Sequence, residues 1–392
     1  MLPKSSLRVA LLAAGLLVGI SAFAGASSGS ASGPHASTPQ LIAHDTSGFG
    51  GEVTPLHGGG RAQPRRATKG GTGPSRRLAS GSTTLLTIAS ATNGTYATGD
   101  IGRTQYVQAV GGTYAVFSRV GTLLASVTDT TFWAGLGGPD TAGICATSPT
   151  QQPDIAYDRL ADRWVITEGA YDGTNYVQCF AVSTTGDATG TWYRYAYSVS
   201  STLQPELPSL AVWPDGYYLS FNEQSSSGWA GAGALVVQRT EMLTGASDAK
   251  ARFFDLSSVS SDLGGMRVAT LEGWNPTINA PNQPTSGAPA LYMQAHDDPL
   301  NTNDRLDLWS FHVDWTGGSS TFSQLASVSV PAYTTDSGDV AHTAAVPAPE
   351  LTDALPQLGG QLEYYNDGSG HETLTVADTI AGGVGWYQLG NT

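Results

Sequence analysis

From about Thr84 to its end the chain is a succession of short β-rich runs, each closed by a tight polar turn, and helical periodicity is almost missing. YVQAV and YAVFS flank Gly111-Gly112, DIAYD and RWVITEGAY flank a DRLADR turn, and SLAVW and YYLSFNE flank Pro214-Asp215-Gly216. ALYMQAH, LDLWSFHVDW and FSQLASVSV follow, then QLEYYND, ETLTVAD and GWYQLG. Only QRTEMLTG has room for a helical turn or two. A pattern of period two broken by Gly, Pro and Asp predicts an all-β fold, because those residues supply the backbone angles that hairpin turns need. The abundance of Gly, 49 in 392 residues, fits that need.

The runs repeat. Hairpin centers fall near Gly111, Ala161, Asp215, Asn301 and Gly368, at steps of 50, 54, 86 and 67. Each unit offers two central strands around a polar turn and then an aromatic outer strand. Repeats of this length, with about four strands each, are the mark of propeller blades. The expected architecture over 84–392 is therefore β-propeller-like with about five blade-like repeats. The two long steps strain that count, and a sandwich or solenoid is the alternative.

The N-terminus has another character. MLPKSSLRVALLAAGLLVGISAFAGA has Lys4 and Arg8, an apolar run and an Ala-Phe-Ala cleavage signature, so residues 1–24 read as a secretory signal peptide. Residues 25–83 are rich in Ser, Gly, Pro and Arg and read as a disordered basic linker or propeptide, with Arg65-Arg66 and Arg76-Arg77 as dibasic pairs. No other stretch has the ~20 apolar residues that a spanning helix requires. Eight of the 18 basic residues but only Asp45 and Glu52 of the 32 acidic ones precede residue 84. The remainder holds ten basic and thirty acidic residues, a formal charge of −20, which disfavors nucleic acid as a partner. Export also favors pairing of the only two cysteines, Cys145 and Cys179, as a disulfide.

QYVQAVGGTYAVFS, FWAGLGGP, PDIAYDRLADRWVIT, QCFAVSTTGDATGTWYRYAY, LAVWPDGYYLSFN and LDLWSFHVDW, in that order, resemble a family of bacterial secreted β-propeller-like proteins related to the sialidase (Asp-box) superfamily. The likeness spans residues 104–390 and implies a propeller fold without implying an activity. STTGDATGTW is similar to an Asp-box, with Asp187, Gly190 and Trp192 in order but one extra residue between the first two. In that motif the Asp ties a turn and the Trp packs. Members of the family generally continue beyond this C-terminus with further blade-like segments, so the resemblance implies an incomplete ring that either self-associates through the gap, aggregates or closes as a strained five-blade ring. A complete five-bladed ring is the competing expectation.

Chemistry is sparsely marked. The charged stretch YDRLADRW reads as a hairpin turn, in which Asp158 and Asp162 accept backbone N–H bonds and Arg163 pairs with either. A glycoside hydrolase needs two carboxylates in one pocket. Asp154, Glu206 and Glu350, near strand starts, are the candidates, with Asp154 foremost. A sialidase would also need clustered arginines, and the nine after residue 84 look scattered. Asp297, Asp298, Asn301, Asn303 and Asp304 in HDDPLNTNDRLD supply hard oxygen ligands of the kind Ca²⁺ takes, although their spacing does not fit an EF-hand and plain turns look the same. No other cofactor is expected. Trp229, in SSSGWAGAG, is the Trp expected in solvent and the candidate ligand-binding residue, as a stacking platform for a sugar ring, while Trp164, Trp192, Trp309 and Trp386 read as packing residues. The resulting expectation is an extracellular binding or interaction module for carbohydrate or protein, with a glycoside hydrolase or lyase as the runner-up.

Overall fold

A computed structural model describes residues 34–50, 96–137, 143–260, 262–275, 280–296, 303–317, 319–333, 358–380 and 383–390. The fold is all-β. In chain order the strands are β1 (His35–Ser37), β2 (Gln40–Gly48), β3 (Ala97–Ile101), β4 (Gln105–Val110), β5 (Thr113–Ser118) and β6 (Leu123–Thr128). There follow β7 (Asp154–Asp158), β8 (Arg163–Tyr171), β9 (Tyr176–Ser183), β10 (Thr191–Ser200), β11 (Gln204–Trp213), β12 (Gly216–Ser225), β13 (Gly228–Gln238) and β14 (Ala251–Asp255). Then come β15 (Arg267–Thr270), the two-residue β16 (Trp274–Asn275) and β17 (Ala280–Pro281), β18 (Ala290–His296), β19 (Arg305–His312) and β20 (Thr321–Ser329). β21 (Leu358–Asn366), β22 (Glu372–Ile380) and β23 (Gly383–Gly390) end the chain. Among the described residues the helices are short, α1 (Asp129–Phe132), α2 (Ile144–Thr147) and α3 (Arg239–Thr244), the last of which occupies the predicted QRTEMLTG segment and stops at Gly245 in the left-handed region.

All five expected hairpins form. β4 pairs with β5, β7 with β8, β11 with β12, β18 with β19 and β21 with β22, each antiparallel, although the fourth turn, near Asn301, lies outside the described residues. The sheets are a meander β3-β4-β5-β6, two five-stranded sheets and one seven-stranded sheet. The first strand of each unit stands beside the next: β3 by β7, β7 by β11 and β11 by β15, while β15 pairs in parallel with β21.

That last pairing departs from five separate units. β15 bonds to β18 on one side and to β21 on the other, so the last two hairpins share one sheet, β20-β19-β18-β15-β21-β22-β23. The longest sequence step has a matching cause, because α3, β14, β15 and the β16–β17 pair all fall between the third and fourth hairpin turns.

Successive sheets pack face to face. Tyr114, Val116 and Val107 of the first meander meet Trp164, Ile166 and Cys179 of the second sheet. Val165, Phe180 and Tyr197 on that sheet's other face meet Leu219, Leu235 and Phe253. Ala211, Tyr218 and Val236 then meet Tyr292, Phe311 and Leu362 of the large sheet. The inner sheets are covered on both faces, which is why β8, β9 and β12 read as nearly continuous apolar runs instead of alternating ones.

The segment read as a disordered linker contributes two strands. β2 completes the second sheet as β2-β10-β9-β8-β7, and β1 completes the third as β1-β14-β13-β12-β11. Residues 34–49 therefore form a strap over two neighboring sheet edges. Asp45 forms a two-pronged ion pair with Arg194 of β10, which also donates to the carbonyls of Phe132 and Ala134. Phe49 closes the strap, buried against Phe132 and Trp192. QLIAHDTSG has little apolar content because it lies on an edge, where the ladder and one ion pair hold it. The expected signal peptide (1–24) and both dibasic pairs lie outside the described residues.

Cys145 and Cys179 form the expected disulfide, with Cα atoms 6.1 Å apart, inside the core between the first two sheets.

Candidate functional site

The YDRLADR loop builds the site, although not in the expected way. Asp158 accepts from Leu160 N and Ala161 N, as a turn residue should. It is nevertheless fully buried, because Tyr217 Oη and the Arg239 guanidinium also reach it from the next sheet. Arg163 pairs with neither aspartate; its Nη1 donates to the carbonyls of Ala161 and Asp162. Asp162, at φ 57°, accepts from Tyr157 Oη and lies 3.6 Å from Arg103. The loop is a turn, but its side chains do not point simply into water. Held by Asp158, it aims Arg159 across the row of first strands.

Arg159 is the center. Its Nε donates to Glu272 Oε2 at 2.8 Å, its Nη2 bonds the same oxygen and lies 3.5 Å from Asp100 Oδ1, and its guanidinium stacks over Tyr157 at 5.7 Å. Asp100 is the penultimate residue of β3, Arg159 follows β7 and Glu272 lies two residues past β15, so three first strands deliver these groups to one place. Burial, reinforced by Glu272, pushes the Asp100 carboxyl up to about 6, against the Tyr157 N–H bond and Arg159. Glu363 of β21 is likewise raised, by burial and then by Glu272. Both carboxylates meet one guanidinium nitrogen, and the Asp100 carboxyl, raised toward the neutral range, is the one fitted to donate or accept a proton there.

Beneath this cluster the first strands close on a space of about 10 Å³, bordered by Ala156, Leu210, Val212, Thr270 and Gln361 and large enough only for a water molecule. Above it opens a shallow cavity of about 300 Å³ lined by Arg103, Arg119, Arg159, Tyr157, Gly273 and Pro281. Arg119 reaches its rim by donating to the carbonyls of Gly102 and Arg103. Three of the nine arginines that look scattered in sequence thus surround one opening, on a domain that is otherwise strongly acidic.

Asp154 lies elsewhere. It is half-buried and accepts from Thr98 Oγ1 at 2.7 Å, Ile155 N at 2.9 Å and Leu210 N at 2.8 Å, tying β3, β7 and β11 together. Burial raises its carboxyl, and those hydrogen bonds oppose the rise. Glu206 sits at an irregularity in β11 and accepts from Gln224 Nε2 at 3.2 Å. Neither residue lines the arginine cavity. Glu350 lies outside the described residues, as do Asp297, Asp298 and Asn301 of the expected calcium loop. Of the rest of that loop, the Asn303 carbonyl accepts from Arg305, and the buried Asp304 accepts from Tyr333 N at 2.7 Å. Among the described residues no group of three or more His, Cys, Asp or Glu side chains is placed to hold a metal ion.

Trp229 is 47% exposed, its ring lying on the backbone of Gly264. Trp164, Trp192 and Trp309 are buried as expected, but Trp386 is 51% exposed because β23 is the last strand of its sheet. The Asp-box-like turn does structural work. Asp187 accepts from Thr189 N and Oγ1 and from Gln105 Nε2 of the adjacent sheet, while Trp192 is buried.

Asp100, Arg103, Arg119, Arg159 and Glu272 carry one shared sequence signal. Asp100 and Glu272 are acidic residues near the end of a first strand, two residues before Gly102 and one before Gly273. That cue appears only once the first strands are known to be neighbors. No protein-family model matches the chain and no curated protein matches it, so the likeness to sialidase-related propellers rests on the sequence stretches quoted above.

Proposed function

We propose that this protein is an exported binding module of propeller type, and that its ligand surface is the arginine-lined opening at one end of the first strands. The reading of the strand groups as blades is supported by the five hairpins and by the side-by-side first strands, with the fourth and fifth groups fused through β15. The observation that carries the binding reading is the cavity of about 300 Å³ bordered by three arginines and Tyr157 over a floor closed to anything larger than water. A guanidinium fork recognizes carboxylate or sulfate geometry, and a tyrosine face takes a sugar ring. An extracellular glycan, acidic sugars first, fits that pairing better than a protein surface does, because the opening is concave and polar.

The test is a glycan and polysaccharide screen on the full chain with Arg103→Ala/Arg119→Ala as the control. Both side chains are exposed, so the variant keeps its fold, and retention should fall at least tenfold. Equal retention by wild type and variant overturns the reading. A second reading, a glycoside hydrolase, is favored by Asp100 and Glu272 converging on Arg159. Reducing-sugar release measured in the same screen, abolished by Asp100→Asn, would establish it.

A further inference from the structure

A second acidic pair lies far along the fold from the arginine opening, on the face of the third sheet that packs against the second. Glu223 of β12 pairs in register with Gly231 of β13, and Asp255 of β14 pairs with Gly233. Residues two apart on a strand share a face, so Glu223, Gly231, Gly233 and Asp255 all point the same way, as Phe221 and Phe253 do. With no side chain on the intervening strand, the two carboxylates face each other across a glycine gap. The gap is obligatory, because a Cβ at Gly233 would come within 2.4 Å of the Phe221 ring and one at Gly231 within 3.1 Å of Ser257.

Glu223 is wholly buried, and among the described residues neither of its carboxylate oxygens meets an N–H or O–H donor of another group; the polar group within hydrogen-bond reach is the Asp255 carboxyl. Asp255 is held on one side only, its Oδ1 accepting from Ser257 N at 2.9 Å and Ser257 Oγ at 2.5 Å. No basic side chain influences Glu223; its carboxyl is pushed up to about 9 by burial and then by Asp255. A fully buried acceptor facing a half-buried one without a protein cation is a costly arrangement, because both desolvation and mutual repulsion act against it. Elsewhere the fold answers a buried carboxylate with a donor, as Arg239 answers Asp158 and Tyr114 and Trp133 answer Glu168.

We propose that Glu223 and Asp255 form a site for one hard divalent cation of the Ca²⁺ or Mg²⁺ class, which bridges β12 and β14 across the glycines of β13. Such a cation takes carboxylate oxygens, and Glu223 presents two of them. The site would also anchor the strap, because Asp255 is the register partner of His35 in β1. It is independent of the arginine opening and of any ligand bound there.

The full chain, stripped with EDTA, is titrated with CaCl₂ and separately with MgCl₂ while thermal unfolding is followed. Tb³⁺ emission sensitized through Tyr176, whose phenol feels Glu223, is read in parallel. Either cation should raise Tm saturably by about 4 °C, and Ca²⁺ should displace Tb³⁺. Both responses should disappear in Glu223→Gln and in Asp255→Asn. The metal-free Tm of Glu223→Gln should match or exceed that of metal-free wild type, which shows that the variant folds. A wild type indifferent to both cations, or a Glu223→Gln variant that keeps the response, overturns the site. So does an alkaline loss of stability that Glu223→Gln removes while neither cation has any effect, because the pair would then hold a shared proton instead.

Discussion

Asp158 and Arg239, 81 positions apart, are locked together by two hydrogen bonds of 2.7 and 3.1 Å with the carboxylate fully buried. This pair joins the second sheet to the third and fixes the loop that presents Arg159. Removing one partner leaves the other charge buried and alone, so Asp158→Ala should cost about 3 to 5 kcal/mol in chemical denaturation. Asp158→Leu combined with Arg239→Met should recover a large part of that loss. Ligand retention should fall in both variants, because Arg159 loses its platform.

The strap predicts a different signature. Asp45→Asn takes the carboxylate from Arg194, which is 2% exposed but keeps two carbonyl partners, so the loss should be about 1.5 kcal/mol. Deleting residues 34–49 should do more than destabilize. It bares the edges of β10 and β14, and light scattering should then show concentration-dependent association beyond that of the full chain.

Glu168 sets a pH dependence. It is buried between the first two sheets, accepting from Tyr114 Oη and from Trp133 Nε1, and burial pushes its carboxyl up to about 8. An acid whose folded value lies above its unfolded one, near 4.5, binds its proton more tightly in the folded state. Its contribution is complete below about pH 4.5 and is lost as pH rises through about 8, by at most about 1.4 kcal/mol per pH unit. Thermal unfolding followed from pH 5 to 9 should show this decline in wild type and a flatter profile in Glu168→Gln.

Asp154 separates scaffold from site. Asp154→Ala strips an acceptor from two backbone amides and one hydroxyl and should cost about 2 to 3 kcal/mol. Glycan affinity of the folded fraction should be unchanged, because Asp154 does not line the arginine cavity. A tenfold weaker affinity in a stably folded Asp154→Ala protein would relocate the site toward β3 and β7.

Strands, turns and the disulfide were legible because their signals are local. Gly111-Gly112, Pro214-Asp215-Gly216 and the Asp/Asn stretch near Asn301 each specify a reversal within a few residues, and period-two patterning marks the arms. Export chemistry and a count of two were enough to pair Cys145 with Cys179. The strap was not legible, because QLIAHDTSG has neither a hydrophobic face nor a hairpin partner nearby; its partners, β10 and Arg194, lie about 150 residues away. Trp386 was misread for a related reason, since an edge strand and a covered strand have the same sequence pattern.

What the sequence determined by itself was an all-β chain of five hairpins with one crosslink, set by turn chemistry and alternation that act over ten residues or fewer. The tertiary structure decided which strands became neighbors, and with that the meeting of Asp100, Arg159 and Glu272, the burial of Asp158 under Arg239 and the facing of Glu223 and Asp255 across a glycine strand. Each of those contacts joins residues that are distant in sequence, so each depends on the order and packing of whole sheets, which no local pattern encodes.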